Sequence, residues 1–200
     1  MNLEAIVLAG GESRRMQQRK ELLVINGKPV IQIITEQLSV LTDRISIITN
    51  EPELYPFLAP SITFKPDIFP SLGPIAGLHA GMSDQEPDTV YVVAACDYPL
   101  LTAAPFIEML ALLGSHPAKD AVIPIIEERS HPLFAIFHGR TLGKWAAALY
   151  SRNLKVMDVF PQLSIIPYKP DNPAIAKQFI NMNTPEDYQA ILSSVNGLSP

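Results

Sequence analysis

Two short segments, AIVLA (Ala5 to Ala9) and TVYVVAA (Thr89 to Ala95), are apolar at almost every position. A strand with one face in water alternates apolar and polar residues. A strand without that alternation must be covered on both faces, which places it inside a sheet sandwiched by helices. Further strands are expected at RISIIT (Arg44 to Thr49), ITF (62–64) and LSIIPY (Leu163 to Tyr168). DAVIPII (120–126) and PLFAIF (132–137) read as two strands joined by the charged turn EERSH. Helical periods fall between them. Pro29 is expected in the first turn of a helix to about Leu41, with Val30, Ile33, Ile34, Leu38 and Leu41 on one face. Others run from Pro74 to about Ser83, Pro105 to Leu113 and Gly139 to Tyr150, with a short one near Leu154 to Phe160. The last follows Thr184 as N-cap, Pro185 as first helical residue and Asp187 as the partner in a capping box. The alternation predicts a three-layer, Rossmann-like α/β fold with a mostly parallel sheet.

At 200 residues the chain suits one domain spanning 1–200, and it has no internal repeat or linker to divide it. A net charge of -5 gives no general attraction to nucleic acid or to an anionic membrane. The single cysteine, Cys96, excludes an intrachain disulfide, and with no signal-like start this points to the cytoplasm. Against that acidic background, LAGGESRRMQQRK (Leu8 to Lys20) stands out. Arg14, Arg15, Arg19 and Lys20 are four of only 15 Lys and Arg.

Such a loop is either a solvated turn after a buried strand or a wrap for polyphosphate. Gly10 and Gly11 allow a tight turn whose N–H groups approach an anion, and Arg15 and Lys20 can follow the phosphates. Neither GxxxxGK[ST] nor GxGxxG is present. In open α/β sheets ligands bind beyond the C-terminal ends of strands. The loops 10–20, 66–74 and 96–100 each follow a strand, so they should share one rim. Asp97 ends a buried strand ahead of Tyr98 and Pro99 and suits Mg²⁺, which takes hard oxygens from one or two carboxylates; the alternative is a cap. Cys96 has no second cysteine nearby and reads as a buried strand-end residue. His79 reads as packing or surface.

The loop with its neighbours resembles the opening of the molybdenum cofactor guanylyltransferase family and its nucleotidyltransferase relatives. The matching residues are Leu8, Ala9, Gly10, Gly11, Ser13, Arg15, Met16, Lys20, Leu22 and Leu23. The resemblance continues through PDIFPSLGPIAGLHAGM (Pro66 to Met82), VVAACDYPLL (Val92 to Leu101), HPLFAIF (His131 to Phe137) and INMNTPEDY (Ile180 to Tyr188). Five ordered motifs cover nearly the whole chain. Two positions depart from the pattern: Gln17 stands for a glycine and Arg19 for an aspartate.

The resemblance implies a fold of the nucleotide-diphospho-sugar transferase type, with an N-terminal nucleotide-binding part and a C-terminal acceptor-binding part. It implies transfer of GMP from GTP to the terminal phosphate of molybdenum-molybdopterin, with Mg²⁺ as cofactor and transient contact with molybdenum-insertion proteins and molybdoenzyme chaperones. Leu8, Ala9, Gly10, Gly11, Lys20, Asp67, Gly73, Asp97 and Asn181 would bind the substrates, Arg15, Lys20 and Asp97 would carry the chemistry, and Asp97 would hold the metal. Gly77 would permit close backbone approach, and Gly81 could be helix packing. Asp67 can instead cap the turn before Pro70, and Asn183 the turn before Thr184. His131 can face the acceptor, and Arg152 with Lys155 can meet its phosphate or simply start a helix. A phosphate nucleophile is already anionic, so no Ser-His-Asp or Cys-His arrangement is needed. CTP or another acceptor, or a non-catalytic nucleotide-binding role, are the alternatives.

Overall fold

The computed structural model describes residues 2–10, 16, 18–84 and 88–196. Strand β1 (Leu3–Leu8) leads to a hairpin of β2 (Val24–Ile25) and β3 (Lys28–Pro29). Helix α1 (Val30–Leu38), β4 (Ile45–Ile48), β5 (Thr63–Lys65), α2 (Pro74–Met82) and β6 (Val90–Ala95) follow. Next come α3 (Ala103–Ser115), β7 (Ala121–Ile126), β8 (Arg129–Ser130) and β9 (Phe134–His138). The chain closes with α4 (Leu142–Tyr150), α5 (Val156–Val159), β10 (Ile165–Tyr168), α6 (Pro173–Ala176) and α7 (Pro185–Asn196). Among the described residues no helix is long and apolar enough to cross a membrane.

The main sheet has the order β10-β7-β9-β6-β1-β4-β5, with β8 paired to β7. β1 pairs in parallel with β4 and β6, β4 with β5, and β10 with β7. Strand β9 is reversed and lies antiparallel to both β6 and β7. Its direction follows from the connection of residues 127–133, which is far shorter than the dozen or so residues of a parallel crossover. The expected charged turn is a tight hairpin at Glu127 and Glu128, with φ of 48° and 62°, and β8 folds back on β7 there.

Alternate residues of each central strand enter opposite cores. Ala5 and Val7 of β1, Val92 and Ala94 of β6, and Phe134 and Ile136 of β9 meet α1, α3 and α7 through Ile34, Phe106 and Ile191. Ile6, Tyr91, Val93, Ala135 and Phe137 face Ile75, Leu78, Trp145 and Val159 of α2, α4 and α5. The indole N–H of the fully buried Trp145 donates to Thr141 Oγ1 at 3.0 Å, so the one polar atom of that ring is satisfied.

Local differences from the sequence expectation have local causes. Pro29 does not sit inside α1 but ends β3, immediately before it. The hairpin ahead of it turns at Asn26 and Gly27, with φ of 50° and 78°, the Asn-Gly pair that favours such turns. α1 stops at Leu38, and Leu41 belongs to the turn that follows, its N–H donating to the Leu38 carbonyl at 2.9 Å. α6 was not expected; the Asn172 side chain caps it by accepting from Ala174 N–H at 2.9 Å. The capping box of α7 is present. Asp187 N–H donates to Thr184 Oγ1 at 3.2 Å, and Asp187 Oδ2 accepts from the N–H groups of Asn183 and Thr184, both at 2.8 Å.

Helix α2 lies close on β1 because two of its residues lack a side chain. A Cβ on Gly81 would stand 2.6 Å from Ile6 Cδ1 and 2.9 Å from both Cγ atoms of that residue. A Cβ on Gly77 would stand 2.7 Å from Leu8 Cδ2, a terminal methyl that can swing aside. Gly81→Ala is therefore expected to destabilise the fold by about 1–2 kcal/mol, overpacking outweighing the gain in helix propensity. Gly77→Ala should cost less. Urea unfolding of the two variants checks the order, which fails if Gly81→Ala is neutral.

Candidate active site

β1 sits between β4 and β6, so successive connections leave it in opposite directions across the sheet. A crevice opens at such a switch point, beyond the carboxyl ends of the strands. The ends of β1 and β6 are adjacent, with Leu8 opposite Ala95. Ala9 is buried and continues the ladder, its N–H donating to the Ile48 carbonyl at 3.2 Å. Gly10 then turns the chain at φ 144°, a backbone value that side chains disfavour. Beyond β6, Cys96 leads to Asp97. Gly11 and Arg15 lie outside the described residues, as does Gln17.

Asp97 is gripped by a segment from the far end of the chain. Its carbonyl accepts from Met182 N–H at 2.8 Å, and its Oδ2 accepts from Asn181 Nδ2 at 3.2 Å. Met182 is fully buried and anchors that segment. Lys20, from a single 3₁₀ turn (Lys20–Leu22), donates to Asn183 Oδ1 at 2.7 Å. Lys20, Asp97, Asn181 and Asn183 therefore form one cluster from three distant parts of the sequence. Asp97 Oδ1 is buried and has no hydrogen-bond partner among the described residues. Burial pushes the Asp97 carboxyl above the usual range, and the charge of Lys20 pulls it back down. A buried carboxylate oxygen left unmatched by the described residues suits a small hard cation.

The loop after β5 forms the other wall. Asn50, just past β4, accepts from Asp67 N–H at 2.9 Å and donates to the Asp67 carbonyl at 3.3 Å. Asp67 Oδ1 accepts from Phe69 N–H at 2.9 Å, so the turn-capping role is realised. Gly73 has φ 73° at the N-cap of α2, with open space where a side chain would point. His79 packs edge-on against Phe69, ring centroids 5.6 Å apart, as a packing residue does.

Arg19 does not project freely. Its Nη2 lies 2.7 Å from Glu51 Oε1 and its Nη1 3.7 Å from Glu21 Oε1. Glu21 is buried and also faces the Tyr55 hydroxyl at 3.5 Å. Cys96 is buried, and burial together with Glu21 and Asp97 pushes its thiol well up, so it stays protonated and inert. Arg152 and Lys155 are exposed in the turn between α4 and α5, and no bond ties them to the Lys20–Asp97 cluster. Asn50 and Glu51 were not singled out from the sequence. Their position directly after β4, on the same rim, is the signal that would have found them.

Comparison with known proteins agrees with this geometry. The profile of the MobA-like NTP transferase domain matches residues 5–163. The molybdenum cofactor guanylyltransferase of Vibrio cholerae serotype O1 is 32% identical, over 91% of this chain and 87% of that one. The crystal structure of molybdopterin-guanine dinucleotide biosynthesis protein A from Archaeoglobus fulgidus superposes with a TM-score of 0.81 at 23% identity, over 98% of this chain and 100% of that one. The 4-diphosphocytidyl-2C-methyl-D-erythritol synthase of Anaerococcus prevotii shares the fold, with a TM-score of 0.72 at 14% identity over 98% and 96%. The fold is of the nucleotide-diphospho-sugar transferase type, and the chain belongs to the MobA-like NTP transferase family.

Proposed function

We propose that this chain transfers GMP from GTP to the terminal phosphate of molybdenum-molybdopterin, releasing pyrophosphate. The observation that carries the proposal is the buried, unpartnered Asp97 Oδ1 beside Lys20 at the switch point of the sheet. The names of the relatives in Vibrio cholerae and Archaeoglobus fulgidus support the choice of substrates. Residues that follow β1 and β5 take the nucleotide, and the C-terminal part takes the acceptor.

Each residue has a distinct task. Gly10, with Leu8 and Ala9 leading into it, lets the chain turn close to the triphosphate. Gly11 and Arg15 complete that loop in the family pattern. Lys20 holds phosphate charge, with Asn183 keeping its ammonium in place. The Asp67 carboxylate accepts from the N1–H and N2–H edge of guanine, and Asn50 fixes the backbone that carries it. Gly73 shapes the end of that wall. Asp97, with the Asn181 amide oxygen, would hold Mg²⁺. Bound there, Mg²⁺ neutralises charge on the α-phosphate and the leaving pyrophosphate. The acceptor phosphate needs no base, because it is already anionic at neutral pH. Rate then comes from positioning and fixed charge, and the inert state of Cys96 is consistent with that.

The direct test supplies purified protein with molybdenum-molybdopterin and GTP, CTP or ATP, and follows pyrophosphate release and dinucleotide formation. GTP-dependent product is expected; a clear preference for CTP would overturn the choice of base. Asp97→Asn, nearly the same shape without the charge, should lower kcat/KM by about 100-fold or more while leaving the melting temperature unchanged or higher. Retained activity in that variant would remove Asp97 from the chemistry.

Arg19 and Lys20 are neighbours with opposite expectations. Lys20→Met should weaken GTP binding by about tenfold or more, since it loses a charge-assisted contact. Arg19→Ala and Glu51→Ala should each change GTP affinity by no more than about threefold, because that pair is exposed and worth at most about 1 kcal/mol. Calorimetric titration with GTP separates the cases. A large loss in Arg19→Ala would place its guanidinium on the phosphates instead.

A further inference from the structure

The reversal of β9 has a geometric effect at the site. Because β9 runs against β6, its first residues, not its last, reach the rim where Asp97 stands. Ala94 pairs with Phe134, and Ala95 N–H donates to the Leu133 carbonyl at 2.9 Å. The loop before β9 therefore ends beside Asp97, on the side of β6 away from β1 and its loop. That loop carries His131.

His131 is fixed in place. Its N–H donates to the Pro124 carbonyl at 2.9 Å, and its carbonyl accepts from Phe134 N–H at 3.2 Å. Its half-buried ring lies edge-on between Tyr98 and Phe179, with centroids 5.8 and 5.3 Å away. The ring nitrogen Nδ1 is 3.2 Å from the Tyr98 hydroxyl, and that tyrosine is only 4% exposed. Next to that tyrosine, the Asn181 amide donates to Asp97 Oδ2 at 3.2 Å. Among the described residues the Tyr98 hydroxyl has no other hydrogen-bond partner, so its hydrogen goes to His131 Nδ1. A neutral imidazole that accepts at Nδ1 carries its hydrogen on Nε2. Burial, and then Arg129, favour that neutral form. Among the described residues Nε2 makes no hydrogen bond.

We propose that His131 is a further acceptor-binding residue, offering its Nε2–H to an anionic oxygen of the acceptor's terminal phosphate, with Tyr98 as the positioning residue that fixes its tautomer. This assignment rests on the transfer reaction proposed above. Tyr98 follows Asp97 in the chain, so the Tyr98–His131 bond ties the end of β6 to the β9 side. A donor on the β9 side is out of line with the nucleotide loops, which follow β1 and β5, and meets whatever approaches from the opposite wall. In the transfer that is the attacking phosphate monoester. A neutral donor orients such a dianion without removing charge from its nucleophilic oxygen.

The test measures acceptor KM with molybdenum-molybdopterin at saturating GTP, GTP affinity by calorimetry, and melting temperature, for the wild type and three variants. His131→Ala should raise acceptor KM by about tenfold, the scale of one hydrogen bond to a charged group, with GTP affinity unchanged within about twofold. His131→Gln, whose amide N–H reaches about as far as Nε2, should recover most of that loss. Tyr98→Phe should fall between the two, because the ring stays and only the tautomer lock is lost. An unchanged acceptor KM in a folded His131→Ala, a parallel loss of GTP affinity, or a glutamine variant no better than alanine overturns the proposal. Should the alanine variant fail to fold, the glutamine and phenylalanine variants carry the comparison. A wild type that forms no dinucleotide removes the transfer reaction and this inference with it, whereas an active wild type beside an unaltered His131→Ala removes only the inference.

Discussion

The hold on Asp97 by residues 181 and 182 is the contact on which the site depends. A carboxylate at a strand end would ordinarily rotate into water, where its charge is well solvated. Here the Met182 N–H fixes its backbone and the Asn181 amide takes one oxygen, so the other stays buried without a partner. Leaving that oxygen unmatched costs on the order of 1–3 kcal/mol, more if the group is charged. The cost is carried by the apolar anchoring of the same segment, where Met182 and Phe179 are almost wholly buried. The capping box that starts α7 then sets the direction in which the segment leaves. Packing away from the rim thus holds a carboxylate oxygen buried beside the Lys20 loop.

The layers of the fold were legible because buried parallel strands leave a strong local mark, a short run without polar residues. β1 and β6 announce themselves that way, and the rule that ligands gather at strand C-termini then places Gly10 and Asp97 on one rim before any coordinates exist. Features set by connection length were less visible. EERSH reads as a turn, but only counting its residues against a crossover shows that β9 must run backwards. The hairpin at Asn26 and Gly27 carries a clear turn pair, yet the adjacent Pro29 draws attention as a helix start. A four-residue helix such as α6 is too short to show a period.

Long-range pairing is the part no local pattern contains. Lys20 and Asn183 are 163 positions apart, and nothing near either residue names the other. Arg19 shows the same limit with a different outcome. From the sequence it is one of four basic residues in seven positions, standing where the family pattern has an aspartate. In three dimensions Glu51, 32 positions on, neutralises it across two adjacent loops. The reversed charge at a position where the family pattern has an acid is thus matched by a carboxylate from the next strand end. Of the two described cations in that stretch, Lys20 is the partly enclosed one, bonded to Asn183.

The sheet order also separates the two sides of the site. β1, β4 and β5 lie on one side of β6, and their loops make the walls assigned to the nucleotide. β9, β7 and β10 lie on the other side. Only β6 borders both halves, and Asp97 stands at its end. A strand reversed next to β6 turns a connecting loop toward the same rim without adding residues to the nucleotide half. Residues 127–130 can therefore vary in composition while the loops after β1 and β5 keep their register, whereas His131 is held by its backbone bonds to Pro124 and Phe134. Their constraint is at the junction: Leu133 still has to accept from Ala95 N–H, since that bond continues the β6–β9 ladder to the edge of the site. The hairpin is accordingly free at its tip and tightly bound where it returns to the rim.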